Sequence, residues 1–438
     1  MKLKDLKAKK ILVLGLGIEG IDTLKFLRKF FSKKVLGIGD RLELKNLNSK
    51  AQNIIKKDKN LNFHLGEDYL KALKNYDIVI KSPGIQPRTL KSFLKKGQRI
   101  TSQTEIFFNN CPGKIIGVTG TKGKSTTTSL IYKILKENGI KAYLTGNIEK
   151  PALSLLDSAK PESVYVYELS SHQLLNLKKS PHIAVFLNIY PEHLDYYKDF
   201  KEYLLAKSNI TRYQKKTDYL VFHSKNKLVN EVVKKSKAKK IPISSVKIKK
   251  LDTLLKGNFN IQNIKAAIAV ARLFKIKDKN ILKSIKNFKP LPYRLEDIGI
   301  YKGIKFYNDA LSTVPEATIA ALDTLGDKVE TIFLGGFDRG IDFKNLAKRI
   351  LKSKIKTLIL FQTTGDKIFR QIIALDNKKK YKAISVQNMK DGVEQAFKYT
   401  KKEKICLLST ASPSFSLFKD YKEKGDLFKK YVKLYGQR

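Results

Sequence analysis

Residues 114–127 read Lys-Ile-Ile-Gly-Val-Thr-Gly-Thr-Lys-Gly-Lys-Ser-Thr-Thr, and this stretch leaves little choice of architecture. Ile115, Ile116 and Val118 form a short apolar run of strand type. Beyond them Leu130, Ile131, Ile134 and Leu135 recur at helical spacing between Ser125 and Asn138. The intervening Gly120, Thr121, Lys122, Gly123, Lys124, Ser125 and Thr126 form a glycine-rich turn at a helix start. Backbone N–H groups there can wrap a phosphate, Lys124 can reach the terminal phosphates, and Ser125 or Thr126 can hold Mg²⁺. A strand that enters a phosphate-binding turn and leaves as a helix is a unit of an α/β sheet. The spacing departs from the common P-loop at one position, because Val118 stands where its first glycine is expected.

Other strand-length apolar runs lie at 11–14, 35–38, 77–80, 164–167, 183–189, 219–222, 331–334, 356–361 and 405–408, alternating with amphipathic stretches of helix length. That alternation predicts α/β units on mostly parallel sheets. Breaks at 97–103 and at the proline-rich 289–293 predict three domains, residues 1–102, 103–290 and 291–438. The first opens with a strand running into Gly15-Leu-Gly-Ile-Glu-Gly20, and Asp40 follows at the end of the next strand. This is a Rossmann-type turn, in which a helix start accepts a diphosphate and the acidic residue meets a ribose or base. A dehydrogenase is the usual reading of such a turn. A second nucleotide site downstream favours a nucleotide-linked substrate here and ATP at the cradle.

The 438 residues, 42% hydrophobic and 10% aromatic, suffice for two or three packed domains. Cys111 and Cys406 cannot build a disulfide framework and no zinc-type cluster is present, which points to a reducing cytoplasm. The basic start is followed by an apolar run interrupted by Gly15, Gly17, Glu19 and Gly20, which fits neither a signal peptide nor a membrane span. The formal charge of +48 raises the possibility of a nucleic-acid-stimulated ATPase. The lysines are dispersed, however, with only modest concentrations at 234–250 and 378–382, and no aromatic-basic module accompanies them. A solvated surface that attracts small polyanions is the reading preferred, with no nucleic-acid or membrane partner.

Nine motifs then occur in order: the glycine turn, Ser82-Pro-Gly-Ile85, the 119–126 cradle, Gly146-Asn-Ile148, Glu168-Leu-Ser-Ser171, Asn188 through His193 to Asp195, Ala206-Lys207, Leu291-Pro-Tyr-Arg294 and Asn308-Asp309. Together they resemble the Mur ligases over essentially the whole chain, and most of all the branch that adds glutamate to UDP-N-acetylmuramoyl-L-alanine. The resemblance implies a Rossmann-like domain for the UDP substrate, a P-loop ATPase-like central domain and a Rossmann-like C-terminal domain for the amino acid. It also implies a monomeric ATP- and Mg²⁺-dependent amide ligase of peptidoglycan precursor synthesis. D-Glutamate is the expected amino acid, with L-glutamate as the alternative.

By the same resemblance, Glu168, His193 and the Ser125 and Thr126 hydroxyls hold Mg²⁺, and Lys207 carries a CO₂-derived carbamate beside them. Asn260, Asn263, Arg294 and Asp309 complete the ATP site, and the domains close over ATP to exclude water. Ile18, Glu19, Asp40, Arg41, Ser82 and Gly84 meet the UDP portion, while Asn147 and His193 face the sugar and lactyl-alanine end. Thr313, Arg339 and Ser414 take the glutamate. His172 and His182, without a motif, are read as ordinary residues. The chain departs from the pattern at Phe259, in place of a histidine, and at Glu149, where a second glycine is common. It departs again at Leu311, in place of the lysine of Asn-Asp-Ser-Lys-Ala-Thr, with Arg339 supplying a guanidinium nearby in sequence.

Overall fold

The computed structural model describes residues 1–148, 151–193, 195–248, 251–378, 381–415 and 417–437. Their strands form three separate sheets. The first joins β1 (Ile11–Leu14), β2 (Leu36–Asp40), β3 (Leu61–Leu65), β4 (Ile78–Lys81) and β5 (Arg99–Thr101) in the order β3-β2-β1-β4-β5. All its pairings are parallel. The order reverses between β1 and β4, so the turns that follow these two strands lie side by side, where an open α/β sheet forms its ligand crevice.

The second sheet joins β6 (Lys114–Thr119), β7 (Ala142–Gly146), β8 (Val164–Glu168), β9 (Ile183–Phe186), β10 (Tyr219–Phe222) and β11 (Lys239–Pro242), again all parallel, in the order β11-β10-β9-β6-β8-β7. Because β8 and β9 flank β6, the segments after Glu168 and Phe186 border the glycine turn after Thr119. The third sheet joins β12 (Glu296–Tyr301), β13 (Ile304–Asn308), β14 (Val329–Gly335), β15 (Thr357–Phe361), β16 (Lys382–Val386) and β17 (Ile405–Leu408) in the order β12-β13-β17-β14-β15-β16. Only the β12–β13 pairing is antiparallel. Leu322, Ile350, Ile368 and Ile372 pack helices Pro315–Leu325, Lys344–Leu351 and Thr364–Leu375 on one face, and Val393, Ala396, Phe428 and Val432 pack Met389–Tyr399 and Tyr421–Gln437 on the other. The helix after β17 thus lies on the opposite face from those after β13 and β14, which opens a crevice at these strand ends.

The chain divides into two compact units, Met1–Lys250 with Gln262–Ile285, and Leu251–Ile261 with Lys286–Arg438. The first unit holds the first two sheets, which share one core. Phe107, on helix Gln103–Asn110, lies edge-on to Tyr165 and Tyr167 of β8 with ring centroids 5.3 and 5.6 Å apart, in the same cluster as Leu24 and Leu27. Such pairs contribute about 0.5–1.5 kcal/mol beyond their burial. Residues 97–103, where the sequence breaks, hold β5 and the start of this helix, which Ser102 caps by accepting from the Glu105 N–H at 3.2 Å. Among the described residues no helix is long and apolar enough to cross a membrane, and both cysteines are free.

Candidate active site

The glycine turn after β6 is shaped by its backbone. Gly123 adopts φ +86° at the cap of helix Lys124–Glu137, and a Cβ there would lie 2.3 Å from Asn263 Oδ1. Only glycine fits, for reasons of both conformation and space. Asn188, just beyond β9, fastens the turn from the side: its carbonyl accepts from the Thr121 N–H at 2.9 Å, its Oδ1 from the Lys122 N–H at 2.8 Å, and its amide donates to Lys122 O at 2.9 Å. Lys124 Nζ curls back to donate to the Gly120 and Thr121 carbonyls, both at 3.0 Å. Ser125 and Thr126 are buried in the first helical turn.

Three further groups face this turn. Glu168, at the end of β8, is 2% exposed; its Oε1 accepts from Asn147 Nδ2 at 3.2 Å, while its Oε2 is enclosed with no partner among the described residues. A buried carboxylate with one oxygen unpartnered is a donor that suits a hard cation, and the hydroxyls of Ser125 and Thr126 are further oxygen donors of the same kind, so the chemistry of this set fits Mg²⁺. No group of three or more His, Cys, Asp or Glu among the described residues could hold a metal, and the expected set draws instead on hydroxyls and on Lys207. Lys207, on helix Phe200–Arg212, is 1% exposed and donates to the same Gly120 carbonyl at 3.0 Å. Burial first, and then the nearby Lys124 ammonium, push its amine well below the usual lysine range.

Glu192 is the third group, and sequence reasoning missed it. Its carboxylate is buried and pairs with Lys122 Nζ at 3.0 Å. Burial alone would push the carboxyl up, but Lys122, His193 and Lys124 outweigh it and hold it down at about 2. His193 has φ +59°, a left-handed backbone unusual for a residue with a side chain. Its ring lies edge-on to His172 at 4.8 Å, and His172 is edge-on to Tyr196 at 4.1 Å. Burial and then the neighbouring His193 push His172 down to about 3, as for a histidine packed among rings. Asn188 and Glu192 both lie inside the 188–195 motif, which was the available signal. Nothing in the sequence singled out His172.

At the first sheet's crevice, Ser82 Oγ donates to Gly15 O at 2.8 Å and joins the two turns. Asp40 accepts from the Leu16 N–H at 2.6 Å and the Leu42 N–H at 2.9 Å, which orients the glycine turn. Ile18 is 80% exposed, and Arg41 and Gly84 are also exposed. Glu19 points the other way: its carboxylate turns into the unit and accepts from Gln173 Nε2 at 2.7 Å. Asn147 is exposed, and Glu149 lies outside the described residues.

In the second unit the expected residues collect at the ends of β13, β14 and β17. Asp309 is buried and accepts from Ser312 Oγ, from Ser409 Oγ at 2.9 Å and from the Leu295 N–H at 3.0 Å. Burial pushes its carboxyl up to about 6 against these donors and Arg294. Tyr293 and Leu295, on either side of Arg294, have φ +61° and +48°. The loop after β14 meets the loop after β17 where the Phe337 N–H donates to Pro413 O at 2.9 Å. On these loops Arg339 Nε and Ser414 Oγ are enclosed without partners among the described residues. Buried donors without a partner are uncommon, and a bound polar ligand is one way to satisfy them. Thr313 is half-buried. Asn260, by contrast, donates its amide to Lys256 O at 2.9 Å, while Asn263 lies against Gly123.

Three α/β sheets, the second carrying a glycine-rich turn between a strand and a helix, are an architecture that many nucleotide-dependent enzymes use. Residues 118–253 match the Mur ligase middle domain. Over 98% of this chain and 97% of theirs, the sequence is 32% identical to a UDP-N-acetylmuramoylalanine–D-glutamate ligase of Acetivibrio thermocellus and 34% identical to one of Clostridium kluyveri. The solved structure of the MurF ligase from Thermotoga maritima in complex with ADP shares the fold, with TM-score 0.60 and 16% identity over 92% of this chain and 96% of that one. The chain belongs to the Mur ligase family of ATP-dependent ligases.

Proposed function

We propose that this protein joins the carboxylate of UDP-N-acetylmuramoyl-L-alanine to the amino group of D-glutamate, with cleavage of ATP to ADP and phosphate, in peptidoglycan precursor synthesis. The observation that carries the reading is the identity of 32–34% with ligases named for this reaction, spread over 98% of the chain. A carboxylate is a poor electrophile, so its oxygen first takes the γ-phosphoryl group while the bond to ADP breaks. The glutamate amine then attacks the carbonyl carbon of the acyl phosphate and loses a proton, and the C–O bond to phosphate breaks. Positioning and electrostatics dominate such a reaction.

The 120–126 turn grips the ATP phosphates, Lys124 turns from its backbone carbonyls to the terminal phosphate, and Asn263, Arg294 and Asp309 serve the rest of the nucleotide. When bound, Mg²⁺ supplies charge neutralisation on the phosphates, held by Glu168 and the hydroxyls of Ser125 and Thr126. Burial shifts Lys207 towards its neutral amine, the form that adds to CO₂ to give a carbamate and a proton; isotopically labelled bicarbonate would show that carbamate as a labelled carbonyl resonance lost in Lys207→Ala. Arg339 and Ser414, with Thr313, hold the glutamate carboxylates, which accounts for a functional pocket without the lysine that Leu311 replaces. The domains are 1–102 for the UDP substrate, 103–290 for ATP and 291–438 for the amino acid, in a monomer working in the cytoplasm.

The test is direct. Purified protein with ATP, Mg²⁺ and UDP-N-acetylmuramoyl-L-alanine is given D- or L-glutamate, and the products are read by mass spectrometry. Product with D-glutamate is expected. Product with L-glutamate alone would reverse the stereochemical assignment, and product with neither would overturn the ligase reading.

A further inference from the structure

The glycine turn of the first sheet and the Glu168 loop of the second are tied together by side chains that the ligase chemistry does not use. Glu19 follows the turn in the first residues of helix Ile18–Phe30, and its Oε1 accepts from Gln173 Nε2 at 2.7 Å. Gln173 closes a capping box on Ser170: its Oε1 accepts from the Ser170 N–H at 2.9 Å, and its own N–H donates to Ser170 Oγ at 3.2 Å. Ser170 is two residues beyond Glu168. A second tie runs alongside, where Gln103 Nε2 donates to Glu19 O at 3.1 Å and to Asp22 Oδ2 at 2.8 Å, and Gln103 Oε1 accepts from the Ala152 N–H at 3.2 Å. Lys81, buried at the end of β4, faces the Glu19 carboxylate and donates to Ser82 O at 3.1 Å.

Glu19 therefore has little to offer a ligand. Its Oε2 is enclosed without a partner among the described residues, and burial pushes the carboxyl up to about 7. We infer that Glu19 is a positioning residue: through Gln173 it couples the turn that receives the UDP substrate to the Glu168 loop that receives Mg²⁺ and ATP. Each ligand then orders one end of the Glu19–Gln173–Ser170 chain, so that binding of either favours binding of the other. This rests on the functional reading above.

The experiment measures that linkage on the full chain by calorimetry. ADP with Mg²⁺ is titrated into the protein with and without saturating UDP-N-acetylmuramoyl-L-alanine, and the UDP substrate is titrated alone, for the wild type, Glu19→Ala, Glu19→Gln, Gln173→Ala and the double alanine variant. In the wild type the UDP substrate is expected to tighten ADP binding by about 5-fold or more, the lower range of ordinary coupling. Glu19→Ala and Gln173→Ala should each abolish the enhancement while leaving each ligand alone within about threefold of wild type, and the double variant should be no worse than either. Glu19→Gln keeps an acceptor for Gln173 and should retain the linkage. Should Glu19→Ala fail to fold, Gln173→Ala breaks the same bond and carries the test. No enhancement in the wild type overturns the inference, as does its persistence in both alanine variants. UDP-substrate binding weakened more than about tenfold in Glu19→Ala, with the linkage kept at saturating substrate, overturns it in favour of a direct contact. A wild type that binds neither ligand defeats the functional reading instead.

Discussion

Asp309 shows what a single residue's setting adds to its identity. The Asn308-Asp309 motif marks it as a ligand group, but the sequence does not reveal that Ser312, Ser409 and the Leu295 N–H already bond to its carboxylate, or that burial lifts its pKa to about 6. The folded state thus binds this proton more tightly than the unfolded chain, whose carboxyl titrates near the ordinary value of 3.8. Between those two values the native state holds more protons, so stability falls as pH rises through the window, by about 3 kcal/mol at most. Lys424 faces the same carboxylate and is itself pushed down by burial to about 7. Urea unfolding between about pH 4 and pH 6 is expected to show this decline in wild type and a flatter profile in Asp309→Asn; equal slopes would mean that the carboxyl titrates normally in the fold. Arg339 and Ser414 teach a related lesson. The family resemblance named them, yet their enclosed and unpaired donors, a physical reason to expect a ligand there, depend on two loops some 75 residues apart meeting at Phe337 and Pro413.

At the scale of elements, the strands legible in the sequence all have neighbours on both sides, although β13, which also has them, does not read as such a run because Lys305 and Asn308 break its apolar pattern. β1, β4, β8, β9 and β17 are buried along their whole length and read as apolar runs. The strands at the ends of the three sheets were not legible: Leu61–Leu65, Arg99–Thr101, Ala142–Gly146, Lys239–Pro242, Glu296–Tyr301 and Lys382–Val386 are partly exposed, and four of the six carry charges, among them Arg99, Lys239, Glu296 and Lys382. An edge strand is paired on one side only, and charge there discourages further pairing, so its sequence lacks the signal that betrays a central strand. The cradle was legible because its glycines are forced. Gly123→Ala places a side chain at φ +86° and drives a Cβ against Asn263 Oδ1. The left-handed backbone alone costs about 1–2 kcal/mol. The turn should therefore shift, with ADP·Mg²⁺ affinity reduced at least about tenfold. Calorimetric titration of ADP decides this, and an unchanged dissociation constant would remove the turn from the phosphate site.

Over the whole molecule the dominant feature is charge, 88 basic against 40 acidic residues. Its lysines line no single face of the sequence, and the chemistry of the site gives them a simpler use than a polymeric partner. ATP and a UDP-linked carboxylate each carry several negative charges, whereas glutamate carries a net charge near one. A positive field over the surface raises the local concentration of the first two far more than of the third, and salt erases the effect as the Debye length shortens from about 30 Å at 0.01 M to about 8 Å at physiological ionic strength. The expected outcome is that kcat/KM falls with ionic strength several-fold for ATP and for the UDP substrate, and only weakly for glutamate. Over the same range the melting temperature should rise, because screening relieves the self-repulsion of a net +48 charge. Steady-state kinetics across a salt series, with each substrate varied in turn, separates this from general salt inhibition. Equal slopes for all three substrates would show that the field does not steer them, and the lysines would then act only on stability and solubility.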